Sequence, residues 1–193
     1  MRKISLLLLV LVYFLMGCTP NERSSSISNI TCENKVTHPE WCKDAAIYEV
    51  NIRQYTQEGT FKAFEKHLPR LKELGVKILW LMPIHPIGLE KRKGALGSYY
   101  SIKDYTAVNP EFGTMDDFKE LVKKCHELGF YVILDWVANH TAWDHAWVKT
   151  HPEWYTLDRT GNMTAPIGTG WEDVADLDYS NPALWEEMIK ALT

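Results

Sequence analysis

The 193 residues lack several signatures, and each absence removes a class of function. No Cys/His spacing suits a zinc site. No Gly-rich turn opens a helix in the way that cradles a phosphate, which disfavours enzymes built around a phosphate-bearing cofactor. With 21 Lys and Arg against 25 Asp and Glu, the formal net charge is -4, so no basic surplus exists to track a phosphate backbone and nucleic acid is not an expected partner. The apolar run from Ile4 to Met16 is too short to span a bilayer.

That run has a different use. Arg2 and Lys3 precede it, as in a secretory signal peptide. It ends in Leu15-Met16-Gly17-Cys18, which resembles the lipobox of bacterial lipoproteins, where cleavage leaves the Cys as a lipid-bearing N-terminus. Residues 1–18 are therefore expected to direct export to the cell envelope, with Cys18 lipidated and the mature chain held on a membrane; an ordinary signal peptide cut nearby is the alternative. Residues 19–43, polar and Ser-rich at their start, read as a tether. In an oxidising compartment a Cys32–Cys42 disulfide is expected to close a short loop within it. Cys125 falls on the apolar side of a helical pattern and reads as a core residue.

From Asp44 onward the chain repeats a unit. Ala45 to Ile52 reads as a strand, and Phe61, Phe64, Leu68, Leu71 and Leu74 follow at helical spacing, with Pro69 expected to kink or divide the helix. Glu73-Leu74-Gly75 leads into a second apolar strand, Val76 to Leu81, and Glu127-Leu128-Gly129 leads into a third, Phe130 to Leu134. Between these lies a helix with a capping box at Thr114 and Asp117, an apolar stripe of Phe118, Leu121, Val122, Cys125 and Leu128, and Gly129 as terminator. Apolar strands joined by amphipathic helices imply an α/β fold with a parallel sheet, either doubly wound or closed into a barrel. In both, ligands sit at the C-terminal ends of the strands.

Polar and aromatic groups gather at those ends. The third strand runs into Asp135-Trp136-Val137-Ala138-Asn139-His140, and the loop after the second carries Tyr100-Ser101-Ile102-Lys103-Asp104-Tyr105 and then Glu111-Phe112-Gly113-Thr114. Val174-Ala175-Asp176-Leu177-Asp178 comes later. In this order the motifs resemble those of the alpha-amylase family of glycoside hydrolases: D-x-V-x-N-H on the third strand, Y-x-x-x-D-Y with F-G-T before it, and the short motif that closes an inserted subdomain.

The resemblance implies that residues 44–193 form the N-terminal portion of a (β/α)8 TIM barrel, strands one to three, with an inserted subdomain at about 141–180. It implies that Tyr100 stacks on the sugar at the cleavage point, that His140 hydrogen-bonds its hydroxyls, and that Asp135 organises the strand end. Asn139 and Asp176 match positions that help hold a structural calcium in many members; for Asn139, hydrogen bonding within its own loop is the competing use. The substrate would be an α-glucan such as starch or maltodextrin, cleaved with retention. The nucleophilic Asp and the acid Glu belong to the fourth and fifth strands, so no catalytic carboxylate is expected before Thr193. A surface lipoprotein that binds glucans without cleaving them would carry the same motifs. Trp143, Trp147, Trp154 and Trp171 are candidates both for a sugar groove and for the subdomain's core, and Asp158 to Asn162 reads as a hairpin tip in preference to a metal loop.

Overall fold

A computed structural model describes residues 37–193. The expected signal peptide, Cys18, most of the tether and Cys32 lie outside the described residues. Cys42 is half-buried at the end of a short 3-10 turn, Glu40–Cys42. Among the described residues no helix is long and apolar enough to cross a membrane.

Strand β1, Ala46–Val50, ends where Asn51 caps a one-turn helix α1, Ile52–Tyr55, its side chain accepting from the Gln54 N–H. The next helical stretch is divided, as Pro69 requires. Helix α2, Phe61–Glu65, and helix α3, Leu68–Glu73, are separate elements. Proline has no N–H for the Glu65 carbonyl, so the ladder stops at that residue and restarts with Pro69 in the first turn, where no donor is needed. Strand β2, Val76–Leu81, follows; Thr114 and Asp117 then form the full capping box of helix α4, Met115–Glu127. Gly129, at a φ of 85°, turns the chain into strand β3, Tyr131–Leu134.

The three strands form one parallel sheet in the order β1-β2-β3. Its register sets Val50, Leu81 and Leu134 level, and the Met82 and Asp135 N–H groups reach back to the Val50 and Leu81 carbonyls at 3.0 and 2.9 Å. All three strands therefore leave the sheet at one rim. One face packs against the helices through Phe61, Phe64, Leu68, Leu71, Leu79, Leu121 and Cys125, all buried. Truncating a residue such as Leu71, with no exposed surface, would cost about 2–5 kcal/mol. Gly113 is required where the loop meets α4: at a φ of 132° a side chain is strained, and a Cβ would lie 2.9 Å from Asp117 Oδ2.

Beyond β3, strand β4, His140–Ala142, pairs antiparallel with strand β5, Val174–Asp176, across helix α5, Ala146–Thr150. Helix α6, Pro182–Leu192, begins at an Asn181 cap and buries Leu184 and Met188, whereas Leu192 stays exposed. A second apolar cluster of Ile102, Tyr105, Val137, Trp154, Tyr155, Leu177 and Leu184 lies here. The stretch from Asp158 is a hairpin tip: its carboxylate accepts from the Thr160 and Asn162 N–H groups, and Leu157 bridges Met163.

Candidate active site

The segment from Asp135 to His140 is irregular, yet most of its backbone carbonyls are satisfied. The Tyr105 hydroxyl lies 2.7 Å from the Val137 oxygen and 2.9 Å from that of His140. Tyr179 donates to the Ala138 oxygen at 2.6 Å, and the Asn139 oxygen accepts from the Leu177 N–H at 3.2 Å. Buried polar backbone without partners is costly, so these tyrosines let a non-repeating segment hold one conformation beside the sheet. Tyr105 closes the Tyr100-to-Tyr105 motif, whereas Tyr179 is silent in the sequence, because a lone Tyr before a helix carries no periodic or spacing signal.

Tyr100, from the loop after β2, donates its hydroxyl proton to Asp135 Oδ2 at 3.1 Å. Burial foremost, with the Asp135 carboxylate accepting its proton, pushes the Tyr100 phenol up to about 12, so it remains a donor. His140 is buried at the start of β4, and both ring nitrogens are engaged. The Asn139 amide donates to Nδ1 at 3.1 Å, which leaves the proton on Nε2 to meet the Tyr100 carbonyl at 3.1 Å. Burial holds His140 below its ordinary value, in keeping with a neutral ring.

These groups meet at a cavity of about 320 Å³ lined by Lys93, Ser98, Tyr100, His140, Trp171, Asp173 and Val174. Asp135 stands behind Tyr100 through the hydrogen bond. Of the four tryptophans considered for a sugar groove, Trp171 lines this cavity. Trp154 is buried, Trp147 packs on it with ring centres 5.3 Å apart, and Trp143 has the Lys91 ammonium 3.3 Å over its ring. Lys93 and Asp173 are silent in the sequence, since an isolated Lys and Asp far apart in the chain carry no pattern until the fold joins them.

Asn139 is exposed and its amide serves His140, while Asp176 is half-buried on β5 directly opposite His140. Calcium takes six to eight oxygen ligands, and among the described residues no group of three His, Cys, Asp or Glu side chains could hold a metal. Asn139 and Asp176 by themselves supply too few oxygens for such a site.

A parallel sheet with its polar and aromatic groups gathered at the C-terminal rim is the arrangement of a barrel enzyme's substrate-binding face. The chain matches the family "Alpha amylase, catalytic domain" over residues 28–163, and it belongs to that family. It is 33% identical to an alpha-1,4-glucan:maltose-1-phosphate maltosyltransferase from Rhodospirillum rubrum, over 89% of this chain and 28% of the relative. It is 31% identical to alpha-amylase 3 from Dictyoglomus thermophilum, over 78% of this chain and 34% of the relative. Among solved structures, an alpha-amylase from Lactobacillus plantarum matches with a TM-score of 0.74 at 49% identity, over 77% of this chain and 35% of that one. The fold is thus the N-terminal portion of a (β/α)8 barrel, and the chain spans about a third or less of the length of these relatives.

Proposed function

We propose that the full-length protein is an exported, lipid-anchored enzyme that acts on the α-glucosidic bonds of starch, maltodextrin or a related glucan by a retaining mechanism. The observation that carries this is the Tyr100–Asp135 hydrogen bond beside His140 at the strand rim, in a chain of the alpha-amylase family. Tyr100 offers a ring face to the apolar side of a sugar, Asp135 fixes that ring's tilt, and His140 closes the cavity wall beside it. These residues bind and orient. Glycoside hydrolysis with retention also needs a nucleophile and an acid about 5–5.5 Å apart. We assign both to barrel strands after β3, and neither to Asp135 nor to Asp176. Hydrolysis and glycosyl transfer share a covalent intermediate and differ in the acceptor, so the product distribution decides between them.

The test is to assay the full-length protein on starch, maltodextrin and maltotriose and to read the products and their anomeric form. Retained α-configured products support the proposal; inverted products would remove the retaining mechanism, and inactivity on every α-glucan would remove the enzyme. The 193-residue chain by itself is expected to show no glycosidase activity. Turnover by the purified chain that vanished on Asp135→Asn would make Asp135 catalytic and overturn the assignment of roles.

A further inference from the structure

The loop after β2 carries three cations in a row, and each is committed to a contact. Lys91, whose φ of 54° is unusual for a residue with a side chain, sets its ammonium over the Trp143 ring. Arg92 grips its own loop, donating to the Gly88, Ile87 and Ala95 carbonyls. Lys93 reaches to the segment before β5, donating to the Gly170 carbonyl at 2.9 Å and pairing with Asp173 at 3.1 Å. Asp173 is 4% exposed, and its backbone carbonyl also accepts from Ser101. The Trp143 indole N–H donates to the Glu172 carbonyl. Two loops that are remote in sequence are therefore buttoned together on both sides of Trp171.

Trp171 itself makes little use of its ring in packing. It is 47% exposed, and the ring meets His140 at 5.6 Å between centres and 65° between planes. A large aromatic held at its backbone on both sides, with an open face on the cavity that also holds Tyr100, is what recognition of a sugar's apolar face requires. At about 320 Å³ the cavity is at the small end of ligand sites, which suits one sugar ring touching both aromatics. Lys93, on the cavity wall, is balanced by buried Asp173, so its charge is not free for a phosphate.

We propose that Trp171 is a specificity-determining wall of the sugar site, positioned by the Lys93–Asp173 clasp, and that this wall selects an uncharged glucosyl unit over a phosphorylated one. The assignment presupposes α-glucan chemistry at the cavity and adds the residues that discriminate there. In the full-length protein, Trp171→Ala is expected to raise KM for maltotriose about tenfold with kcat changed far less, the effect of losing one aromatic contact that is equally good in ground and transition states. Trp171→Phe should recover most of the loss, which a purely structural role would not predict. Lys93→Met leaves the buried Asp173 carboxylate without its partner and should raise KM severalfold with a lower melting temperature, whereas Lys93→Arg, which keeps the charge, should restore both. As competing ligands, maltose should inhibit at least as well as maltose 1-phosphate. An unmoved KM in Trp171→Ala overturns the wall, an unmoved KM in Lys93→Met overturns the clasp, and tighter inhibition by the phosphate overturns the selection. Inactivity of the parent on every maltooligosaccharide would instead sink the glucan assignment beneath it, so the two failures are distinct.

Discussion

The Tyr100 hydroxyl donates to Asp135 Oδ2 across 3.1 Å, tying the loop after β2 to the residue that follows β3. The bond joins the two motifs that sit 35 residues apart in the chain. Asp135 is itself held to the sheet by its N–H on the Leu81 carbonyl, so the tilt of the Tyr100 ring is referred to the rigid frame of the strands.

Tyr100→Phe keeps the ring and removes that tie. Under the proposed activity, turnover of the full-length protein on maltotriose should fall about tenfold while stability changes by about 0.5–1.5 kcal/mol, the net worth of one hydrogen bond. Steady-state kinetics beside thermal melting checks this; normal turnover with a large drop in melting temperature would make Tyr100 structural.

Tyr105→Phe acts on the backbone of the same segment. The buried hydroxyl serves the Val137 and His140 carbonyls, and its loss should cost about 1–3 kcal/mol by leaving an acceptor without a partner. Denaturant unfolding of the parent and the variant measures the difference, and a change within error would show that the carbonyls find other partners.

Acid should weaken the fold through its buried histidines. Burial lowers His85 and His140 and takes His145 to about 4 from an ordinary 6.5. Between those values the unfolded chain binds the proton and the folded chain does not, so stability is full above about pH 6.5 and is lost as pH falls towards 4. His145 alone accounts for a loss on the order of 3 kcal/mol across that window. Its Nδ1 caps α5 by accepting from the Trp147 N–H, so His145→Asn keeps an acceptor and removes the titration. The fall in unfolding free energy from pH 7 to pH 5 should then be smaller in the variant, with the remainder due to His85 and His140; an unchanged pH slope would place the acid sensitivity elsewhere.

Export and lipidation are tested apart from the barrel. Cells expressing the complete chain with labelled fatty acid should yield a labelled, membrane-associated protein, and Cys18→Ser should abolish both. A soluble, unlabelled product from both chains would leave an ordinary signal peptide as the better account.

Sequence by itself determined the frame of this protein. Apolar periodicity located β1, β2, β3 and α4, Pro69 divided the helix between β1 and β2, and Thr114 with Asp117 marked where α4 begins, because each is a local preference that acts within a few residues. The resemblance of its motifs singled out Tyr100, Asp135 and His140, which lie in the segments that follow β2 and β3, on the rim where a parallel fold collects its chemistry. Tertiary structure alone decided how those groups are held and what else lines the cavity beside them. That Trp171 lines the cavity while Trp154 is core, that Tyr179 clamps the Ala138 carbonyl, and that Lys93 finds Asp173 depend on segments remote in sequence being brought within hydrogen-bonding distance. No spacing rule records such meetings: the residues have no period in common, and their contact exists only once the sheet, the long loop after β2 and the β4–β5 pair have been folded onto one another.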